Sequence, residues 1–300
     1  MRGLLKIVVL TGVIGLLCGA VALSEGEIRV SYLGPAGTYT EEAAQFFFQA
    51  GETLEPRETV SDAIAALMAG EADYAVIPQE NTVGGAVVNY VDALIGAEEA
   101  FVAGEVVLPI SQTLMGVPGA ALSDIRRVCS HAQGLTQSAR WRSEHLPNAQ
   151  TEEMPSTAAA ASFVAETGDR TIAAVAAPGA AAMYGLEVLA ENVQITDANK
   201  TRFYVLSRER LEGEVLTRAV FVITCDASEI DDIILVVHNA GLEMVTLHDR
   251  PEGSRLGRYH YVIEVENQAG VSDDQIEAVC AGAGVRFAGR FAAIEKGGDA

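Results

Sequence analysis

The order of apolar and polar positions predicts two repeated blocks of strands and helices. In the first block an alternating run at 28–33 precedes a glycine-rich turn, a helix at 61–69 has apolar residues at helical spacing, and a buried strand follows at 74–78. The second block leads from a helix opened by Ser156 to a strand at 171–175. Such alternation predicts parallel sheets with helices on their faces. We therefore expect a two-lobed α/β unit at 27–212 that binds a ligand beyond its strand ends, in a cleft between the lobes.

Three local signals predict how segments begin and pair. Thr40 can cap a helix that begins at Glu41, and Ser130 can cap the helix that follows the strand at 125–129. The apolar runs at 105–110 and 112–117 have the pattern of paired strands.

The pattern changes after residue 217, where a smaller unit is predicted at 217–294. Its segments read strand, helix, strand, strand, helix, strand, which is the ferredoxin-like βαββαβ order. The predicted strands are 219–224, 242–249, 259–265 and 285–293, and the predicted helices are 228–239 and 273–281.

The first 26 residues form a separate segment. Arg2 and Lys6 precede an uncharged run at 7–23, and Ala20 and Ala22 form a small-x-small cleavage site. This pattern predicts a signal peptide cleaved after Ala22, and therefore an exported, periplasmic protein. The run has marginal length for a membrane span, so an uncleaved membrane tether is an alternative. A cytoplasmic location follows if the start codon is misassigned.

Composition narrows the classes of partner. A formal net charge of -21 argues against nucleic acid, whose phosphates would repel the chain. It leaves an anionic substrate open, because a local pocket can be basic on an acidic surface. The cysteines Cys18, Cys129, Cys225 and Cys280 form no disulfide framework; Cys225 and Cys280 either pair or stay as buried thiols. No His or Cys spacing predicts a metal site, and no cofactor is expected.

Polar residues directly after predicted strands are the candidate site residues. Glu80 and Asn81 end the buried strand at 74–78, and Ser130 begins a polar loop after another strand. Thr201 and Arg202 lie side by side at the mouth of a third. Functional residues concentrate on loops held by a rigid scaffold. The alternative reading, that these are ordinary turn and strand residues, stays open from each short segment alone.

Five segments in order resemble those of prephenate dehydratases, over about 180 residues. The chain at 34–44 resembles the family's G-P-x-G-T-x-S, with Thr40 in the Ser place, and 78–82 resembles P-I-E-N-S, with Gln79 and Thr82 replacing Ile and Ser. The segment at 130–137 resembles S-H-x-Q-x-L-x-Q. The remaining two, at 183–186 and 199–203, resemble Y-G-L and N-x-T-R-F.

The resemblance implies conversion of prephenate to phenylpyruvate, CO2 and water in L-phenylalanine biosynthesis. It implies Thr201 as the catalytic hydroxyl and Arg202 as a bidentate ligand of a substrate carboxylate. The implied substrate-binding set is Arg202, Phe203, Glu80, Asn81, Thr82, Ser130, Gln137 and Thr38. An arogenate dehydratase and a non-catalytic exported solute-binding protein are the alternatives.

The C-terminal unit resembles the ACT domain that follows the dehydratase in this family. The resemblance implies L-phenylalanine as an effector and a homodimer or homotetramer. Arg250 and Pro251 match the family's E-S-R-P segment, whereas the usual N-R-P-G-A-L turn is replaced by 225–230. This departure puts phenylalanine regulation, but not the fold, in question.

Overall fold

The computed structural model describes residues 28–49, 51–196, 198–213 and 215–296. The predicted signal peptide or anchor at 1–26 lies outside the described residues. Within the described ranges no helix is both long and apolar enough to cross a membrane. The described cysteines, Cys129, Cys225 and Cys280, are free thiols.

Three sheets organise the chain. The strands are β1 (Ile28–Leu33), β2 (Glu52–Arg57), β3 (Tyr74–Asn81), β4 (Gly85–Ala86), β5 (Phe101–Pro109), β6 (Thr113–Gly116), β7 (Arg127–Ser130), β8 (Gln150–Glu153), β9 (Ile172–Ala176), β10 (Glu187–Ala190), β11 (Lys200–Ser207), β12 (Arg218–Asp226), β13 (Glu243–Pro251), β14 (Arg258–Glu266), β15 (Val285–Phe291) and β16 (Ala293–Glu295). The helices are α1 (Tyr39–Phe48), α2 (Val60–Met68), α3 (Val88–Gly96), α4 (Ala132–Gln137), α5 (Ala139–His145), α6 (Thr157–Thr167), α7 (Gly179–Tyr184), α8 (Ile230–Asn239) and α9 (Asp273–Cys280), and a 3-10 turn spans Leu122–Asp124.

The first two sheets form the two predicted α/β lobes. The sheet of lobe 1 has the order β16-β5-β11-β3-β1-β2, with β4 paired to β3, and the sheet of lobe 2 has the order β10-β6-β9-β7-β8. Strands β1, β2 and β3 are parallel, as are β7, β8 and β9. Strand β11 follows lobe 2 in the chain but inserts between β5 and β3 of lobe 1. The two-lobed α/β prediction is confirmed.

The predicted pairing of 105–110 with 112–117 is wrong. Strand β5 belongs to lobe 1 and β6 to lobe 2, so residues 110–112 form one chain crossing between the lobes. The described residues of the return crossing are 191–196 and 198–199, and Ile110 N donates to Asn199 O at 2.8 Å. These two crossings, called the hinge below, lie side by side between the lobes.

The C-terminal unit has the βαββαβ order, with a sheet β13-β14-β12-β15. One sheet face packs on α8 and α9 around Phe221 and Ile263. The opposite face shares a core with lobe 1. That shared core includes Val220, Val222, Val262, Ala288 and Phe291 from the C-terminal sheet, and Tyr90, Leu94, Tyr204 and Leu206 from lobe 1. Continuous burial of this kind makes the domain an integral support of lobe 1.

Backbone contact reinforces this packing. A Cβ on Gly289, at φ +132°, would lie 2.3 Å from the carbonyl oxygen of Val102 on β5. Only glycine tolerates both that backbone conformation and that approach. Further along the chain, β16 pairs with β5 in parallel, and Glu295 of β16 forms an ion pair with Lys200. The end of the described chain therefore closes one edge of the lobe 1 sheet.

Candidate active site

Thr201 and Asn81 form a directly opposed pair on β11 and β3. The Nδ2 group of Asn81 donates to Thr201 Oγ1 at 2.9 Å, and Thr201 is 9% exposed. Within the described residues this is the hydroxyl's one hydrogen bond, and in it the oxygen is the acceptor. The hydroxyl hydrogen of Thr201 therefore remains available to a ligand.

Asn81 connects the two lobes. Its Nδ2 also donates to Asn199 Oδ1 at 2.7 Å in the hinge. Its Oδ1 accepts from Gly84 N at 2.9 Å, Val83 N at 3.0 Å and Gln133 Nε2 at 3.2 Å. Gln133 lies on α4 of lobe 2. It is a site residue outside the predicted set, although it occupies the first glutamine position of the segment at 130–137.

Thr82 braces the loop around this pair. Its Oγ1 donates to Ala198 O at 3.1 Å and accepts from Lys200 N at 3.0 Å. Both partners belong to the segment that enters β11. Thr82 thus contacts the hinge, and its hydroxyl supports the backbone beside Thr201.

Buried amide groups without partners lie at the hinge. Gln112 Nε2 donates to Gln137 Oε1 at 3.2 Å, and both side chains are buried. The remaining Gln112 Oε1 and Gln137 Nε2, together with Asn199 Nδ2, have no hydrogen-bond partner among the described residues. An unsatisfied buried polar group costs about 1–3 kcal/mol. Such groups indicate where a polar ligand would bond, which favours the predicted binding role of Gln137.

Ser130 has a different role from the predicted one. It is fully buried and donates to Val175 O at 2.6 Å inside lobe 2. The N-cap of α4 is His131, whose side chain accepts from Gln133 N. The capping prediction for Ser130 is therefore wrong, and the proton of its hydroxyl is used within the lobe.

Thr38, rather than Thr40, is the N-cap residue of α1, and Thr40 is buried inside the first turn. The glycine-rich loop before α1 already binds a carboxylate of the protein itself, because Gly37 N donates to Glu41 Oε2 at 2.6 Å. Thr38 lines a cavity of about 820 Å³ between α1 and α7, and Lys296 contributes a cation to the same cavity. The cap prediction for Thr40 is wrong, while Thr38 does face the space between the lobes.

Arg202 lies on the opposite face of β11 from Thr201, because neighbouring strand residues point to opposite faces. Its Nη1 donates to Glu80 Oε2 at 3.3 Å. Its Nε and Nη2 donate to Glu105, and Nη2 also donates to Glu264 Oε1 at 2.5 Å. Three protein carboxylates thus hold the guanidinium, which contradicts its predicted grip on a substrate carboxylate.

Two other predicted contacts fail, for two different reasons. Glu80 precedes Asn81 on β3 and points to the face of Arg202. Phe203 is 2% exposed in the lobe 1 core, beside Val30 and Tyr32. Neither side chain lies beside the Thr201 hydroxyl, so both support the strands that carry the site.

The predicted regulatory segment contacts lobe 1. Arg250 on β13 makes a bidentate pair with Asp92 on α3, at 2.6 Å and 3.0 Å, and Pro251 ends the same strand. Two residues earlier, His248 Nδ1 lies 2.5 Å from the hydroxyl of Tyr90, also on α3. This segment therefore joins the C-terminal domain to the lobe that carries Thr201.

We expect the contact between His248 and Tyr90 to weaken in acid. Burial of His248 lowers its pKa below the ordinary value near 6.5. The folded state then binds fewer protons than the unfolded state, so stability falls as pH drops from about 6.5 through the folded pKa. Thermal unfolding of His248→Gln should depend less on pH between 7 and 5 than that of the unmodified protein. The exposed His145→Gln is the control, and equal slopes for both variants would contradict the expectation. The charged neighbours of His248 are Glu80, Arg202, Glu264 and Asp249.

The fold and the site together define a two-lobed α/β protein with unpaired buried amides at its hinge and, beside them, a hydroxyl whose hydrogen is uncommitted among the described residues. A family model described as prephenate dehydratase matches residues 30–211. The chain belongs to the prephenate dehydratase family, whose members are hydro-lyases of L-phenylalanine biosynthesis. The dehydratase part of the predicted resemblance is confirmed.

Relatives agree over most of the chain. The prephenate dehydratase of Lactococcus lactis subsp. cremoris MG1363 is 35% identical over 249 residues, which cover 81% of this chain and 88% of that protein. The structure of Arthrobacter aurescens prephenate dehydratase in complex with L-Phe has a TM-score of 0.80 at 32% identity, and covers 88% of this chain and 90% of that one. The structure of GqqA, described as a novel type of quorum quenching acylase, has a TM-score of 0.79 at 25% identity, and covers 89% of this chain and 98% of that one.

Proposed function

We propose that the Thr201 hydroxyl donates to the leaving hydroxyl of prephenate as water forms. One observation carries this role. Asn81 donates to Thr201 Oγ1, which leaves the hydroxyl hydrogen uncommitted at the junction of the lobes. The donor from Asn81 also stabilises negative charge that develops on Oγ1 as its proton moves toward the substrate.

The reaction balances without an external oxidant or reductant. The bond between the ring and its carboxylate carbon breaks, CO2 leaves, and that electron pair enters the ring. The bond between the ring and the hydroxyl oxygen then breaks, the ring becomes aromatic, and the leaving oxygen takes a proton to become water. Thr201 supplies or relays that proton and regains one from solvent. A positioned proton donor contributes about 10²- to 10⁴-fold in rate.

Substrate binding at the hinge follows from its unpaired amides. Gln137 Nε2 and Asn199 Nδ2 are buried donors without partners among the described residues. Prephenate carries two carboxylates and a keto group, all of which accept hydrogen bonds. A ligand seated there would contact both lobes and satisfy these donors.

Turnover decides between the candidate functions. The full chain is expected to convert prephenate to phenylpyruvate faster than it converts arogenate to phenylalanine. An N-acylated quorum-sensing signal is the third substrate, because similar folds can carry different reactions. Release of phenylpyruvate from prephenate alone supports the proposal. Faster arogenate turnover would identify an arogenate dehydratase, acyl release would identify an acylase, and tight binding without product would indicate a solute-binding protein.

We assign the C-terminal domain to the ACT class and propose that it binds L-phenylalanine. The βαββαβ order and the L-Phe complex of the similar Arthrobacter aurescens protein support this assignment. A homodimer or homotetramer is the assembly proposed with it. Calorimetry with L-phenylalanine and sedimentation of the full chain test the two parts separately.

We also propose export or membrane tethering by residues 1–26. The basic start, the uncharged run and the Ala20–Ala22 site in the sequence support it. A mature protein that begins near Leu23 in a periplasmic fraction is the expected result. A full-length cytoplasmic protein would overturn the proposal and favour a misassigned start.

A further inference from the structure

A buried charge cluster joins the C-terminal domain to the strand that carries Thr201. Its centre is Arg202, whose guanidinium contacts carboxylates from three different elements. Glu80 lies on β3, Glu105 on β5 and Glu264 on β14. Glu105 and Glu264 are 1% and 0% exposed, so these charges are withheld from water.

Both carboxylate oxygens of Glu264 accept hydrogen bonds from side chains on β11 or beside it. Its Oε1 accepts from Arg202 Nη2 at 2.5 Å and from Arg218 Nη1 at 2.7 Å. Its Oε2 accepts from Arg202 Nη2 at 2.7 Å and from the Tyr204 hydroxyl at 2.5 Å. Arg202 and Tyr204 are alternate residues on one face of β11. A single carboxylate of the C-terminal domain therefore holds two side chains of the catalytic strand.

Stability alone is a weak reason for such a cluster. Burying charges costs several kcal/mol per ion, and well-packed apolar residues often replace a buried pair without loss. The geometry offers a second reason, because Thr201 is joined to Arg202 by one peptide bond. A shift of Arg202 moves the Thr201 backbone, and a displacement of about 1 Å in a reacting group can cost about 100-fold in rate.

We propose that Glu264 is a positioning residue for Thr201, and that the C-terminal domain fixes the reactive hydroxyl through Glu264 and Arg202. The proposal rests on the proposed role of Thr201. It gives the C-terminal domain a direct part in turnover, and it names the contact by which a ligand of that domain would change the rate.

The test is Glu264→Gln in the full chain, because glutamine keeps the shape and removes the charge. We expect kcat to fall about 10-fold or more with KM changed less than about 3-fold, as for a misplaced catalytic group. Glu266→Gln is the matched control, two residues along the same strand face, where Glu266 contacts Arg218 at 3.6 Å and not Arg202. The control should keep kcat within about 2-fold, since partly exposed ion pairs contribute little.

A double variant that combines Glu264→Gln with Thr201→Val shows whether Glu264 acts by positioning Thr201 or by a general effect on the stability of the protein. If Glu264 acts through the Thr201 hydroxyl, Glu264→Gln lowers kcat little further once that hydroxyl is absent. Multiplicative losses in the double variant would overturn the proposal, as would a folded Glu264→Gln with unchanged kcat. Normal activity of Thr201→Val would overturn the proposed role of Thr201 itself, and this result can be distinguished from a failure of the proposal for Glu264.

If Glu264→Gln does not fold, Tyr204→Phe tests the positioning role of Glu264 instead. It removes the hydrogen bond to Glu264 and the one that Tyr204 accepts from Gln79 Nε2 at 3.3 Å, and it leaves the charges of the cluster paired. We expect a smaller kcat loss, about 3-fold, that also vanishes in the Thr201→Val background. A loss that persists in that background, or no loss at all, would contradict the proposal.

Discussion

Replacing Thr201 with valine is expected to lower kcat for prephenate by about 10²- to 10⁴-fold, the usual contribution of a positioned proton donor. Valine has nearly the shape of threonine, and the side chain is mostly buried, so packing is kept. What is lost is the hydroxyl that accepts from Asn81 and offers its hydrogen to the substrate. Because the interaction forms in the transition state, KM should change much less than kcat. Steady-state kinetics, with thermal unfolding of both proteins, measures this.

Thr201→Ser is the matched control. Serine retains the hydroxyl and its bond to Asn81 but loses the methyl group, so most of the rate should return. A folded valine variant with a kcat within about 3-fold of the unmodified protein would remove Thr201 from the chemistry. An equal loss in serine and valine variants would instead assign the effect to packing at the hinge.

The site could be located from the sequence because polar residues follow buried strands. Asn81 and Thr201 meet because β3 ends, and the antiparallel β11 begins, at the same edge of one sheet. The resemblance groups Arg202, Phe203 and Glu80 with them because they belong to the same two matched segments, 78–82 and 199–203. Strand periodicity places Arg202 and Glu80 on the opposite face from Thr201 and Asn81, whereas Phe203, two residues from Thr201, shares its face but is buried in the core of lobe 1.

Other features depend on contacts that local patterns do not contain. Glu264 lies 62 residues beyond Arg202, in a different domain, so no spacing rule connects them. The runs at 105–110 and 112–117 have strand character, but an apolar run does not specify its partner. The two runs lie in separate lobes because the chain crosses between the lobes at 110–112. The sequence likewise predicts Thr40 as the cap of α1, whereas Thr38, two residues earlier, is the N-cap residue.

These observations give β11, the strand that carries Thr201, two different faces. The face of Thr201 meets Asn81 and, through it, Gln133 of lobe 2. The opposite face meets Glu105 of lobe 1 and Glu264 of the C-terminal domain. Movement between lobes and ligand binding in the C-terminal domain would thus reach the same strand from opposite sides, which is the physical requirement for coupling two sites through one element.

Asn81→Asp is expected to have the second large effect, a fall in kcat of about 100-fold or more. Aspartate keeps the size of asparagine but replaces the Nδ2 donors with an acceptor. The Thr201 hydroxyl would then donate to Asp instead of to the leaving oxygen, and a developing charge on Oγ1 would lose its stabilising donor. The new oxygen would also face Asn199 Oδ1, which now accepts from Nδ2 at 2.7 Å. The negative charge should raise KM for a dianionic substrate as well.

Kinetics across pH distinguishes this cause from a simple structural loss. Protonation of the new carboxyl in acid would restore one O–H donor, so the variant should recover part of its kcat as pH falls, while Asn81→Ala should not. Asn148→Asp, on an exposed loop before β8, carries the same change of charge and should keep the unmodified rate. If Asn81→Asp retained kcat within about 3-fold, the hydroxyl of Thr201 would not depend on the donor from Asn81, and its uncommitted proton would lose its structural explanation.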